Sequence, residues 1–99
     1  MHRVYRVTSV AVCGEHALRV GFDDATEQDV DLSGILEGDL FSALRDPRFF
    51  AEVRIDPETH TTVWPNGADL DPETLHDWTK YREAMRVMAK RWAGAETDA

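Results

Sequence analysis

The chain has 99 residues, 42% of them hydrophobic and 30% charged, which suits one domain with a modest core and excludes a wholly disordered polypeptide. Its 11 basic and 19 acidic residues leave a net charge of −8, so the body as a whole repels phosphate backbones. The longest uncharged apolar-rich run, Val7–Gly14, is far short of the ~20 residues that span a bilayer, which excludes a membrane helix. No basic segment leads into an apolar run near the N-terminus, so no secretory signal is expected. The single Cys13 cannot close an internal disulfide and fits a reducing, cytoplasmic setting.

In chain order, Val4–Val12 is rich in β-branched residues and predicts a strand, closed by a turn at Gly14-Glu15. Leu18, Val20 and Phe22 alternate with Arg19 and Gly21, and Thr26–Leu32 alternates again with Val30 and Leu32 inward. Period two of this kind marks half-buried strands, joined here by a hairpin connection at Asp23-Asp24-Ala25. Ser33–Arg45 is interrupted by Gly34 and Gly38 and supports only single helical turns near Ser33–Leu36 and Leu40–Leu44. Asp46-Pro47 reads as a cap and first helical residue, making Pro47–Phe50 a brief corner with Phe49 and Phe50 as core plugs. Ala51–Asp56 and His60–Trp64 complete a set of about five short strands, the last ended by Pro65-Asn66-Gly67.

A helix start follows. Asp71 can cap the first amides, Pro72 suits the first position, and Leu70 and Leu75 have the spacing of a hydrophobic staple. No Gly or Pro interrupts Glu73–Trp92, so a single long helix is expected over about 72–93, stopped by Gly94. The fold class is therefore α+β: a mostly antiparallel sheet of about five short strands, short connecting helices and a long C-terminal helix. One domain is expected over residues 1–94, with 95–99 a disordered tail.

Chemistry-bearing patterns are sparse. Cys13 and His16 sit three residues apart around a turn, a spacing that gives neither residue a catalytic partner, and Cys13 is expected to be a buried structural thiol. His2, His16, His60 and His76 lack metal-ligand spacing, and the glycines are scattered singly rather than gathered in a phosphate loop. Asp69, Asp71 and Glu73 do not fit a calcium loop, and Asp71 already has a capping role. No catalytic residue, no metal and no cofactor is assigned, and the chain is expected not to be an enzyme.

The C-terminal helix is more informative. Trp78, Tyr81, Met85, Met88 and Trp92 follow spacings of three and four, and at ~100° per residue they fall within an arc of about 80°. Such a row either covers the domain's own sheet or meets a partner, and its aromatic and methionine content suits an adaptable contact. Charge is uneven too. Met1–Trp78 holds 6 basic against 16 acidic residues, whereas Thr79–Trp92 holds 5 basic residues against Glu83 alone.

Several stretches together resemble the small bacterial domain-of-unknown-function family 2442. They are Leu18-Arg19-Val20-Gly21-Phe22-Asp23-Asp24, Val30-Asp31-Leu32, Leu44-Arg45-Asp46-Pro47-Arg48-Phe49-Phe50, Val53-Arg54-Ile55-Asp56 and Val63-Trp64-Pro65-Asn66-Gly67-Ala68-Asp69-Leu70-Asp71-Pro72-Glu73-Thr74-Leu75. The resemblance spans roughly Val4 to Leu75. It departs at Ala25, where the family usually has glycine, and beyond Leu75, where many members end. It implies an α+β domain without an established activity; some members lie beside small toxin-like genes, which is the basis of an antitoxin-like label.

The resulting expectation is a non-enzymatic protein-interaction domain, an antitoxin-like or regulatory partner of another bacterial protein. Trp78, Tyr81, Met85, Met88 and Trp92 are its expected contact residues, toward another protein or a second copy of the chain. Two alternatives compete. Arg82, Arg86, Lys90 and Arg91 could serve a nucleic-acid-associated regulator with steep salt dependence, or the acidic body could mimic DNA against a basic protein.

Overall fold

The computed structural model describes residues 5–97. Three strands, β1 (Val7–Gly14), β2 (Ala17–Phe22) and β3 (Glu27–Asp31), form an antiparallel sheet in the order β1-β2-β3. Val4, which the sequence places in the first strand, lies outside the described residues. Leu18 pairs with Val30, and Leu18, Val20 and Val30 are fully buried, so the alternation does put one face on the core. On the opposite face Arg19 pairs with Asp29, its Nε donating to the carboxylate at 3.0 Å. Both side chains are more than half exposed, so this pair contributes little.

The β2–β3 connection is a three-residue loop. Phe22 N–H donates to Thr26 O at 2.9 Å and Ala25 N–H to Phe22 O at 3.0 Å, while Ala25 takes φ 68°. This is the hairpin form in which a left-handed residue follows a tight turn, and it favours glycine at the Ala25 position.

Between β3 and the second hairpin the chain turns through a 3₁₀ turn at Ser33–Ile35, α1 (Gly38–Phe41), a 3₁₀ turn at Ser42–Arg45 and α2 (Pro47–Phe50). Asp46 caps α2, its carboxylate accepting Arg48 N–H at 2.9 Å. Phe50 is fully buried against Trp64, whose indole N–H donates to Phe50 O at 2.9 Å.

The expected sheet of about five strands is instead two sheets. β4 (Arg54–Ile55) and β5 (Thr62–Val63) pair with each other over two residues, and Val63 also makes an isolated antiparallel bridge to Asp69. The Asp56 carboxylate accepts Glu58 N–H and Thr59 N–H, and His60 adopts φ 55°; Pro57, which has no N–H, further shortens the ladder. A backbone hydrogen bond, Val7 N–H to His60 O at 2.8 Å, joins this hairpin to the larger sheet. The turn after β5 forms as expected: Gly67 takes φ 91°, and Asn66 both accepts Ala68 N–H and donates to Leu40 O.

The single helix expected over 72–93 is also divided. α3 (Pro72–His76) is capped by Asp71, which accepts Thr74 N–H at 3.2 Å. The backbone then leaves helical geometry at Asp77, φ −105° and ψ 39°, and α4 (Trp78–Thr97) begins. Asp77 O starts the new helix by accepting Lys80 N–H and Tyr81 N–H. The break turns Trp78 into the core, where it is 4% exposed. Gly94 does not end α4, since an interior glycine costs only about 1 kcal/mol. Of the expected 95–99 tail, 95–97 continue the helix and 98–99 lie outside the described residues.

Candidate functional site

α4 packs on the Ser33–Ile35 turn, α1 and α3, and its orientation divides the predicted contact row. Around the helix, at ~100° per residue, the successive directions are Ala89, Trp78, Met85, Trp92, Tyr81 and Met88. Exposure rises in almost the same order. Ala89 and Trp78 are buried, Met85, Trp92 and Tyr81 are half-buried, and Met88 is 44% exposed. Met85 and Trp92 pack against the domain's own core. The helix is thus rolled toward its small Ala89 border, because alanine lets its backbone approach the layer beneath, and the Met88 border is left open.

Trp78, Met85 and Trp92 therefore act first as a lid. Tyr81 is held from outside the core, its hydroxyl donating to Glu73 at 2.9 Å. That bond, with burial adding to it, raises the phenol above its ordinary pKa.

Where α4 crosses α1, an open pocket of about 370 Å³ is lined by Glu37, Gly38, Asp39, Leu40, Phe41 and Trp92. Gly38 takes φ 85°, and a β-carbon there would stand 3.1 Å from Trp92 Cβ, so glycine is what lets the two helices close. Phe41 and Trp92 stack with centroids 5.7 Å apart, while Leu40 is 46% exposed. Met88 lies one turn before Trp92 on α4, so its side chain neighbours the indole. Glu37 is engaged by Arg45. Asp39 is exposed and has no ionic partner among the described residues. The sequence pattern did not point to Gly38, Leu40 or Phe41, although a glycine followed two residues later by adjacent apolar side chains was the available signal.

A second constellation centres on His76. Its Nε2 donates to Asp24 and its Nδ1 to Asp77, each at 2.8 Å, and its ring lies between Tyr5, stacked at 3.7 Å, and Phe22 at 4.9 Å. Carboxylates only accept, so both bonds are made together when the ring carries both protons, as the imidazolium. Burial opposes that charge, but the bonds to Asp77 and Asp24 outweigh it and hold the pKa above the ordinary histidine value. Asp24 is depressed to about 2, first by the Thr26 hydroxyl and, against burial, by His76.

Thr26 Oγ also lies 3.2 Å from Nε2, giving a hydroxyl–imidazole–carboxylate line reminiscent of nucleophile activation. The hydroxyl proton goes to Asp24, however, and an imidazolium cannot accept another. The cluster clasps the β2–β3 loop to the α3–α4 junction. A separation of 52 residues between its ends kept it out of any local motif.

Cys13 is exposed, contrary to the expected burial, because the end of β1 projects beyond the core. His16 turns away from it, bonding Arg45 O at 2.9 Å and packing edge-on against Phe50. Among the described residues, no group of three His, Cys, Asp or Glu side chains is placed to hold a metal ion, and no helix is long and apolar enough to cross a membrane. On α4, Lys80 lies over the Tyr81 ring and Arg86 lies against Gly34, while Arg82, Lys90 and Arg91 are exposed.

These features define a small α+β domain with open apolar ground where its last helix crosses a four-residue helix. The family described as protein of unknown function, DUF2442, matches residues 7–81, and the chain belongs to it. No curated protein and no solved structure matches. The family match takes in Leu40 and Phe41 but stops within the first turns of α4, so Met88 and Trp92 lie beyond the matched residues.

Proposed function

We propose that this chain is a non-enzymatic protein-interaction domain of the bacterial cytoplasm, an antitoxin-like or regulatory partner of another protein. It docks through the open border of α4 and the adjoining α1 pocket. One observation carries this reading: Leu40 and Met88 remain 46% and 44% exposed beside the half-buried Trp92 and Phe41, around a pocket open to solvent. Leucine and methionine at such exposure, next to an indole, form the kind of adaptable apolar ground that interfaces use.

Charge narrows the occupant. Asp39 has no ionic partner among the described residues and Glu37 lines the same pocket, so the fitting segment presents a bulky apolar side chain beside a Lys or Arg. A photo-crosslinking amino acid at position 88 tests the reading in cells. The expected result is one discrete adduct that disappears when Leu40→Asp is added. Absence of any adduct, or an adduct indifferent to Leu40→Asp, would overturn it.

A further inference from the structure

β1 forms one edge of the three-stranded sheet, with β4 lying near it, and its sequence lacks the devices that usually protect such edges. Val7–Gly14 contains no charged residue and no proline, whereas natural edge strands are commonly blunted by lysine, proline or inward charges. Register shifts occur at both ends of β1, but Val10–Val12 pair regularly with β2.

The same segment leaves apolar surface uncovered. Val10 pairs with Val20 and Val12 with Leu18, which puts all four on the core face of the sheet. Val20 and Leu18 are fully buried, Val10 is half-buried, and Val12 is 45% exposed. The layer that covers β2 and reaches Val7 therefore thins along β1 and leaves Val12 open. Among the described residues, the backbone bond that uses this edge runs from Val7 N–H to His60 O, at the first residue of the strand.

We propose that β1 pairs antiparallel with β1 of a second copy about a two-fold axis near Ala11. An open strand edge requires another extended backbone, and antiparallel self-pairing lets one surface serve both partners. Charge favours a copy at this place and disfavours it elsewhere. A chain of net charge −8 repels its like over most of its surface, but β1 offers an uncharged line of contact on both sides.

With Ala11 on the axis, Val10 of each copy stands opposite Val12 of the other, a cross-strand pair of β-branched residues. The row Val30, Leu18, Val12 then continues into Val10 and Val20 of the second copy, extending the core face without a polar interruption. This contact uses none of the residues of the α1–α4 surface.

Light scattering on size-separated protein, across a wide concentration series in reducing buffer, tests the proposal without interference from Cys13 oxidation. The wild-type chain is expected to pass from monomer to dimer as concentration rises, with slowed amide exchange at 9–12. Ala11→Lys places like charges opposite one another and is expected to weaken the dimer at least about tenfold; Val12→Lys, at an already exposed position, should do the same if Ala11→Lys perturbs the fold. Met88→Asp should dimerise like the wild type. A wild type that stays monomeric, a dimer that survives both lysine variants, or a dimer lost in Met88→Asp would each overturn the proposal.

Discussion

Trp92 stacks on Phe41 with the ring planes 14° apart, fastening the distal part of a twenty-residue helix to one of four residues. Trp92→Ala removes that fastening and is expected to cost about 2 kcal/mol, less than a fully buried tryptophan because the indole is half-buried. Gly38→Ala attacks the same junction from below, through both φ 85° and the 3.1 Å approach to Trp92 Cβ, and should cost about 1–2 kcal/mol. Urea denaturation checks both, and amide exchange should localise the loosening to α1 and the later turns of α4.

Two methionines separate lid from contact. Met85 packs on the core, so Met85→Asp should lower stability by about 2 kcal/mol. Met88 is 44% exposed, and Met88→Asp should stay within about 0.5 kcal/mol of the wild type. Denaturation midpoints that did not distinguish the two would contradict the orientation assigned to α4.

How far the fold could be read from the sequence follows physical lines. Alternation placed Leu18, Val20, Val30 and Leu32 inward, and all four are fully buried, because a two-residue period leaves one face no choice. Proline after a capping aspartate located Pro47–Phe50 and the start of α3 for a similarly local reason. The break at Asp77 was hidden, since no Gly or Pro marks it; it lies where Asp24, Asp77 and His76 meet in space. The heptad-like row was visible, but not which border would be covered. Ala89 decided that through its smallness, a packing outcome that periodicity does not contain.

His76 makes stability depend on pH in a defined direction. Its folded pKa is raised above the ordinary value near 6.5, so its contribution is fully present below that value and is lost as pH rises through the folded pKa. Asp24 is depressed to about 2, so its contribution is present above the ordinary carboxylate value and is lost as pH falls toward about 2. The clasp is therefore strongest between roughly pH 4 and 6.5. His76→Gln should flatten the alkaline limb of melting temperature against pH, and an imidazole titration followed by NMR should show the raised pKa directly.

Ala25 holds φ 68° in a loop position that favours glycine. Ala25→Gly is expected to raise stability by about 0.5–1 kcal/mol, the relief of left-handed strain exceeding the added chain entropy. Thermal denaturation checks this, and a destabilised variant would mean that the loop does not carry that strain.

The most direct measurement on the docking surface compares the wild type with Leu40→Asp/Met88→Asp, two exposed positions joined through the pocket and one turn of α4. The double variant should keep the circular-dichroism spectrum and melting temperature of the wild type while losing the protein partner crosslinked from position 87, a neighbouring exposed site. A partner held equally well by the double variant would contradict the account.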